Sequence, residues 1–275
     1  MHSPLLLSLF LALLMGIMTC SRCQAQRIVA HRGASFDYPE NTLLAFRKAW
    51  EMGADGIEGD FYLTADGHIV CIHDKNTRRT GGKNLIVEQS TLDALKQLEY
   101  GSWKSAEFRG EPLPTLEDVY RTVPSGKLFV IELKSDSAIV QPFVEELRRL
   151  QMAPEQVLII SFHEEVIRRC KQLAPEYRGH WLTSTSPRGD RQPPSVEQIA
   201  AAVKRSQADG VGLEGNPQVV TEDFLDALRR LGVTEFHVWT IDDPETARYF
   251  QRLGALSITT NRPDIIGRSL QRPSP

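Results

Sequence analysis

Short apolar runs, several of them ending on ionisable residues, alternate with helix-like segments along most of this 275-residue chain. The strand candidates are Ile28–His31, Gly56–Tyr62, Leu128–Leu133, Val157–Ser161, Arg178–Leu182, Gly210–Leu213, Phe236–Thr240 and Leu256–Thr259. Helices begin near Asn41, Thr115, Ser137, His163, Ser195, Thr221 and Asp243. Cap chemistry marks several of these starts. Asp243-Pro244-Glu245 sets an Asp cap before a proline at the first helical position. Thr221-Glu222-Asp223 loads acid into a first turn, where the helix dipole favours it. Eight strand–helix units in about 250 residues match an α/β chain folded as a TIM (β/α)8 barrel. A doubly wound open sheet is the alternative, because local periodicity does not report closure.

One interval breaks the rhythm. Between the second and third strands the chain takes more than twice the usual spacing. Thr64-Ala65-Asp66-Gly67 reads as a hairpin turn, so Ile69–His73 is expected to pair back on the second strand. The stretch at about 75–112, with Gly81-Gly82, Gly101 and Gly110, reads as an insertion beside the barrel mouth without a core of its own.

Leu5 to Met18 is almost wholly apolar, and Ala25 follows a short polar segment. About 14 apolar residues are too few for a comfortable membrane span, which needs about 20. The stretch fits the apolar part of an export signal at 1–25, leaving 26–275 as one domain, periplasmic or secreted, with no transmembrane span. A lipidated Cys20 is the alternative ending of that signal, although Ile17-Met18-Thr19 lacks the small residues expected before such a cysteine. Cleavage after Ala25 would leave Cys71 and Cys170, both in apolar segments and better read as small buried hydrophobes than as a disulfide. A net charge of −3 with both signs scattered, and no basic stripe, argues against a nucleic-acid partner. Oligomeric state has no signature in the chain.

His31-Arg32, Glu58-x-Asp60, His73 and Glu132-x-Lys134 each close an apolar run. Alternation along a strand puts Glu58 and Asp60 on one face, and Glu132 and Lys134 likewise. Taken singly, each has an ordinary reading: a solvated strand end, a helix cap, a turn histidine, a same-face ion pair. Barrel closure would instead bring them to one mouth, where active sites of this architecture lie. Three carboxylates meeting there repel unless a cation joins them, and oxygen ligands suit Mg²⁺ or Ca²⁺. Trp239 also faces that mouth, either as packing or as a wall for a substrate.

Together with Pro39-Glu40-Asn41-Thr42, Arg79-Thr80, Pro114-Thr115-Leu116, Ser161-Phe162, Val238-Trp239-Thr240 and Thr260-Asn261-Arg262-Pro263, these motifs make a chain that resembles the glycerophosphodiester phosphodiesterases. The resemblance implies a TIM barrel with a small insertion after the second strand. It implies one divalent cation on Glu58, Asp60 and Glu132, and His31 and His73 as the acid–base pair. Arg32 and Lys134 would hold phosphate oxygens, with Glu40 and Trp239 also at the substrate. A small glycerophosphodiester would be split into an alcohol and glycerol 3-phosphate, the neighbouring glycerol hydroxyl attacking first. A phospholipase- or sphingomyelinase D-like enzyme, a diesterase for glycan or teichoic-type glycerophosphate, and a non-catalytic surface binding protein are the other readings. Phe61, Glu214-Gly215-Asn216 and Asn261 depart from the family's usual residues. They are expected to shape the outer pocket and to leave the acid–base pair untouched.

Overall fold

The structure is a computed structural model that describes residues 26–187, 189 and 192–270. The export segment at 1–25, with Cys20, lies outside the described residues. The barrel strands are β1 (Arg27–His31), β2 (Gly56–Leu63), β4 (Leu128–Leu133), β5 (Val157–Ser161), β6 (Arg178–Thr183), β7 (Gly210–Glu214), β8 (Phe236–Trp239) and β9 (Ser257–Thr260). They run parallel in that order, and β1 pairs with both β9 and β2, so the sheet closes. Closure decides between the two folds left open by periodicity: this is a TIM barrel. The short β3 (Ile69–Cys71) runs antiparallel to the far end of β2, as the Asp-Gly turn predicts, but it stops two residues before His73.

The helices are α1 (Leu43–Glu51), α2 (Arg78–Gly81), α3 (Leu92–Lys96), α4 (Leu116–Tyr120), α5 (Val140–Arg149), α6 (Glu164–Leu173), α7 (Val196–Ser206), α8 (Glu222–Arg230), α9 (Pro244–Arg252) and α10 (Pro263–Leu270). Their starts follow the cap chemistry: Thr42, Thr115, Ser195, Thr221 and Asp243 each accept a backbone N–H of the first turn. The segment at Ser137 differs. It opens as a 3₁₀ turn capped by Asp136, and α5 begins only at Val140. That helix buries Val140, Phe143, Val144 and Leu147, spaced three and four apart, against the outer face of the sheet. Each such burial stabilises the fold by roughly 1.5–3 kcal/mol.

Strand alternation sorts the barrel into two shells. Ile57, Phe61, Phe129, Ile131 and Leu133 face the helices. Val29, Leu128, Val130, Leu158, Ile160 and Leu182 fill the lumen. Glu58 and Glu132 continue the lumen-facing rows toward the C-terminal ends, which is why acids sit on an otherwise apolar plug. The insertion packs through a buried cluster that it shares with its flanks. Val87, Leu95, Tyr100 and Leu113 pack with Val70 and Ile72 from the β3 arm, all buried. Cys71 and Cys170 are both buried free thiols. No helix among the described residues is long and apolar enough to cross a membrane.

Two histidines without a sequence motif meet inside the barrel. His180 on β6 and His237 on β8 stack with Nδ1 atoms 2.9 Å apart, across β7, whose inward positions are Gly210 and Gly212. A Cβ on Gly212 would stand 2.5 Å from the His237 ring, so that strand must be bare there. Burial keeps both rings neutral, pushing His237 well below the usual histidine range, with His180 adding to the effect, and lowering His180 as well. The unfolded chain protonates these rings near pH 6.5 and therefore binds more protons than the folded one, so stability falls as pH drops below about 6.5. A ring held neutral well below its usual range, as His237 is, costs up to about 2 kcal/mol at pH 5. We expect the melting temperature to fall between pH 7 and pH 5 in the wild type and to fall less in a His180→Gln/His237→Gln protein. Equal losses in the two proteins would remove the pair as the source.

Candidate active site

His31 closes β1, and the chain turns at once through Arg32 and Gly33, both left-handed with φ of 55° and 82°. A Cβ at Gly33 would come within 2.6 Å of the α1 backbone, so only glycine lets this turn sit on the helix. A left-handed backbone is unusual for arginine and is held by its surroundings. Here it lets the Arg32 N–H donate to Glu58 Oε2 at 3.0 Å. Asn41, also left-handed at φ 58°, donates from Nδ2 to Asp60 Oδ2 at 2.8 Å.

In β2 and β4, Asp60 pairs with Glu132, and His31 of β1 pairs with Glu58. The result is a cluster of three buried carboxylates, Glu58, Asp60 and Glu132, each offering an oxygen within 4.8 Å of the others. Two cations flank it. Arg32 lies between Glu40 (Nη1 to Oε1, 3.1 Å) and Asp60 (Nε to Oδ2, 3.2 Å). Lys134 donates to Glu132 Oε1 at 2.8 Å and stands 3.4 Å from Asp60 Oδ1. His31 Nε2 is 4.0 Å from Glu58 Oε2.

The charges do not balance without help. Burial pushes Asp60 up, but Arg32 and Lys134 outweigh it and hold the carboxyl well below its usual range. Burial, and then the negative charge of Asp60, push Glu132 up to about 7. The same causes, joined by Glu132, push Glu58 well above the ordinary carboxylate value. Glu58 Oε1 and Asp60 Oδ1 are buried and make no hydrogen bond among the described residues. Asp60 Oδ1 has the Lys134 ammonium beside it, but Glu58 Oε1 has no such partner, and a buried carboxylate oxygen is costly unless a donor or a cation meets it. The donor set therefore fits a hard divalent ion.

Two relays hold the histidines. His31 Nδ1 lies 2.7 Å from Asn261 Oδ1, and Asn261 in turn donates from Nδ2 to Asp242 at 2.6 Å. Burial and the neighbouring Arg32 lower His31 to about 4, so it is neutral near pH 7. His73 Nδ1 lies 2.8 Å from Asp74 Oδ1, while Arg79 donates to Asp74 Oδ2 at 2.8 Å and grips both oxygens of Glu40. Every residue expected at the site is therefore at the barrel mouth. Glu40 is an acceptor-only anion committed to two arginines, Arg32 and Arg79. Trp239 meets Phe162 edge-on at 5.4 Å and lines an open pocket of about 440 Å³ with Glu214, Asn216 and Thr240.

One expectation is overturned: Asn261 does touch the acid–base pair, because its side chain folds inward from the end of β9 to His31. The structure also adds Asp74, Arg79 and Asp242 to the site. The first two have a sequence signal in His73-Asp74 and Arg79-Thr80. Asp242 has none, since its partner lies on the next strand.

The model of the glycerophosphoryl diester phosphodiesterase family matches residues 31–265. The chain is 32% identical over 244 residues to the glycerophosphodiester phosphodiesterase of Caldanaerobacter subterraneus subsp. tengcongensis, covering 87% of this chain and 95% of that protein. The glycerophosphodiester phosphodiesterase of Agrobacterium tumefaciens superposes with a TM-score of 0.70 at 27% identity, covering 88% of this chain and 99% of that one. An Oleispira antarctica phosphodiesterase, solved with its product sn-glycerol-3-phosphate, has the same fold, with a TM-score of 0.77 at 24% identity over 90% of this chain and 97% of that one. The barrel, the convergent acids and histidines, and a family match across nearly the whole described chain lead to one conclusion: the chain belongs to the glycerophosphoryl diester phosphodiesterase family and is a phosphodiesterase.

Proposed function

We propose that this enzyme hydrolyses small glycerophosphodiesters to glycerol 3-phosphate and an alcohol, using one divalent cation and proton exchange by His31 and His73. The observation that carries the metal is the set of buried acids whose Glu58 Oε1 has no hydrogen-bond donor. A divalent cation held by Glu58, Asp60 and Glu132 would supply Lewis-acid neutralisation of phosphoryl charge. Arg32 and Lys134 add positive charge beside the same point, where low dielectric makes it worth more than in water. Each is already anchored by carboxylates, so neither must be ordered when the diester arrives.

Cleaving the diester needs one group to remove a proton from the attacking oxygen and another to protonate the leaving oxygen. The two histidines at this mouth suit both tasks near neutral pH. The half-buried Trp239 and the pocket running toward Asn216 are the side on which the alcohol group would lie. The test is turnover of glycerophosphocholine and glycerophosphoinositol by purified protein, with lysophospholipid as competitor class. Release of glycerol 3-phosphate that stops on metal stripping and returns with Mg²⁺ or Ca²⁺ is expected. Turnover of lysophospholipid alone would overturn the substrate class. We also propose that residues 1–25 direct export, which sequencing of the mature N-terminus checks: a chain still beginning at Met1 would overturn it.

A further inference from the structure

The cations at the mouth divide into two kinds. Arg32, Lys134 and Arg79 each meet two carboxylates, so their charge is matched inside the protein. Arg262 and Lys104 make no ion pair among the described residues, and both are half-buried. Their common support is Phe36, a half-exposed ring on the loop after β1. The Arg262 guanidinium lies over that ring, 4.2 Å from its centroid. Lys104 reaches across from the insertion and donates to the Ser35 and Phe36 carbonyls at 2.5 and 2.7 Å. The loop is tied to the end of β9, where the Phe36 N–H donates to the Asn261 carbonyl at 3.1 Å. A solvated arginine needs no partner, and a lone surface cation means little. Here, however, the Phe36 ring covers one side of the guanidinium and leaves its in-plane N–H donors, a fork that matches phosphate. Lys104 spends two of its three N–H donors on neutral carbonyls, so its charge is held in place and not cancelled. The acids nearby do not cancel it either: Asp242 is spent on Thr260 and Asn261, and Asp37 acts on Lys104 only through space. β9, which Arg262 follows, pairs with β8, whose Trp239 walls the pocket assigned above to the alcohol group. The two cations therefore stand one strand away from that pocket.

We propose that Arg262 and Lys104, held on Phe36, form a second anion subsite that selects diesters whose alcohol group carries a phosphate of its own. This deepens the functional reading above and rests on it. The phosphate being cleaved meets Arg32 and Lys134, and the alcohol lies beside Trp239. The distal phosphate then takes the Arg262 fork and the remaining Lys104 N–H. An uncharged headgroup makes no use of either cation. The subsite is remote from the reacting atoms, so it holds ground state and transition state alike and acts on KM, not on kcat.

The test compares steady-state turnover of glycerophosphoinositol and glycerophosphoinositol 4-phosphate, which differ by one phosphate, in the metal-loaded enzyme. The wild type should take the phosphorylated diester with a KM about tenfold lower, and added salt should shrink the difference. Arg262→Gln should raise that KM about tenfold while leaving kcat and the KM for glycerophosphoinositol unchanged. Arg262→Lys, which keeps the charge without the fork, should recover part of the preference. Phe36→Leu, which keeps both charges and removes the ring beneath Arg262, should weaken it. Equal KM values for the two diesters in the wild type, or a preference unchanged in Arg262→Gln, would overturn the proposal. So would Arg262-dependent sedimentation with phosphatidylglycerol vesicles by an enzyme blind to the headgroup phosphate, because the rim would then serve a membrane surface. An enzyme inert toward both diesters would overturn the functional reading instead. Calorimetric binding of glycerophosphoinositol 4-phosphate to that protein, weaker in Arg262→Gln, would still decide the subsite.

Discussion

His31→Ala and His73→Ala should each lower kcat by about 10²- to 10⁴-fold, the range set by losing one positioned proton carrier. The fold should survive both changes, for a reason visible in the network. Without the His31 ring, Asn261 Oδ1 still accepts from Ser35 Oγ; without the His73 ring, Asp74 still accepts from Arg79. Neither change strands a buried polar group, and both rings are partly exposed, with 17% and 33% of the side chain accessible. Thermal melting followed by circular dichroism should therefore move little while turnover collapses. Added imidazole should recover part of the lost rate, since it supplies the missing proton carrier without its positioning. Turnover near wild type in either protein would dismiss the pair, and a collapsed melting curve would assign the loss to folding.

Much of this site is legible in the chain because its residues obey strand alternation. Glu58, Asp60 and Glu132 sit on the lumen-facing rows of β2 and β4, so the period of two alone puts them on one side of the sheet. Closure cannot be read that way, since it depends on β1 meeting both β2 and β9. The supports of the site are less legible. Arg79 comes from a four-residue helix in the insertion, and its hold on Glu40 and Asp74 depends on how that insertion folds over the mouth. The apolar cluster under the insertion is hidden from the sequence because part of it comes from the β3 arm. Asn261 reads in sequence as a substitution within a motif, although its orientation is set by Asp242, which no local pattern links to it. The buried pair His180 and His237 is invisible for the same reason: a whole strand with two inward glycines lies between residues that touch.

Stripping the divalent cation should abolish turnover, and so should Glu58→Gln/Glu132→Gln, with a loss of about 10³-fold or more for several kcal/mol of charge stabilisation. Activity alone would not separate a metal cage from a set of structural acids, but the protons do. With no cation bound, burial and mutual repulsion keep a proton on Glu58 and leave Glu132, pushed up to about 7, part-protonated at neutral pH. A cation can take their oxygens only by displacing those protons. Binding should therefore tighten as pH rises through about 7. Calorimetry in buffers of different ionisation enthalpy should report proton release. Stability follows the same sign. A carboxyl whose folded value is raised stabilises the fold fully below its unfolded value near 4.5, and that contribution is lost as pH rises through about 7. The metal-free wild type should thus melt earlier at pH 8.5 than at pH 6.5, and added Mg²⁺ or Ca²⁺ should reverse the loss. The double variant should melt later than metal-free wild type at pH 8.5, by about 1–3 kcal/mol, because neutral amides no longer have to ionise in a buried site. It should also gain nothing from the cation. Opposite changes in stability and activity from one pair of substitutions are what a metal cage requires, since its acids are placed for an ion and at a cost to the empty fold. Metal-independent turnover in the double variant, or a cation response equal to wild type, would overturn it.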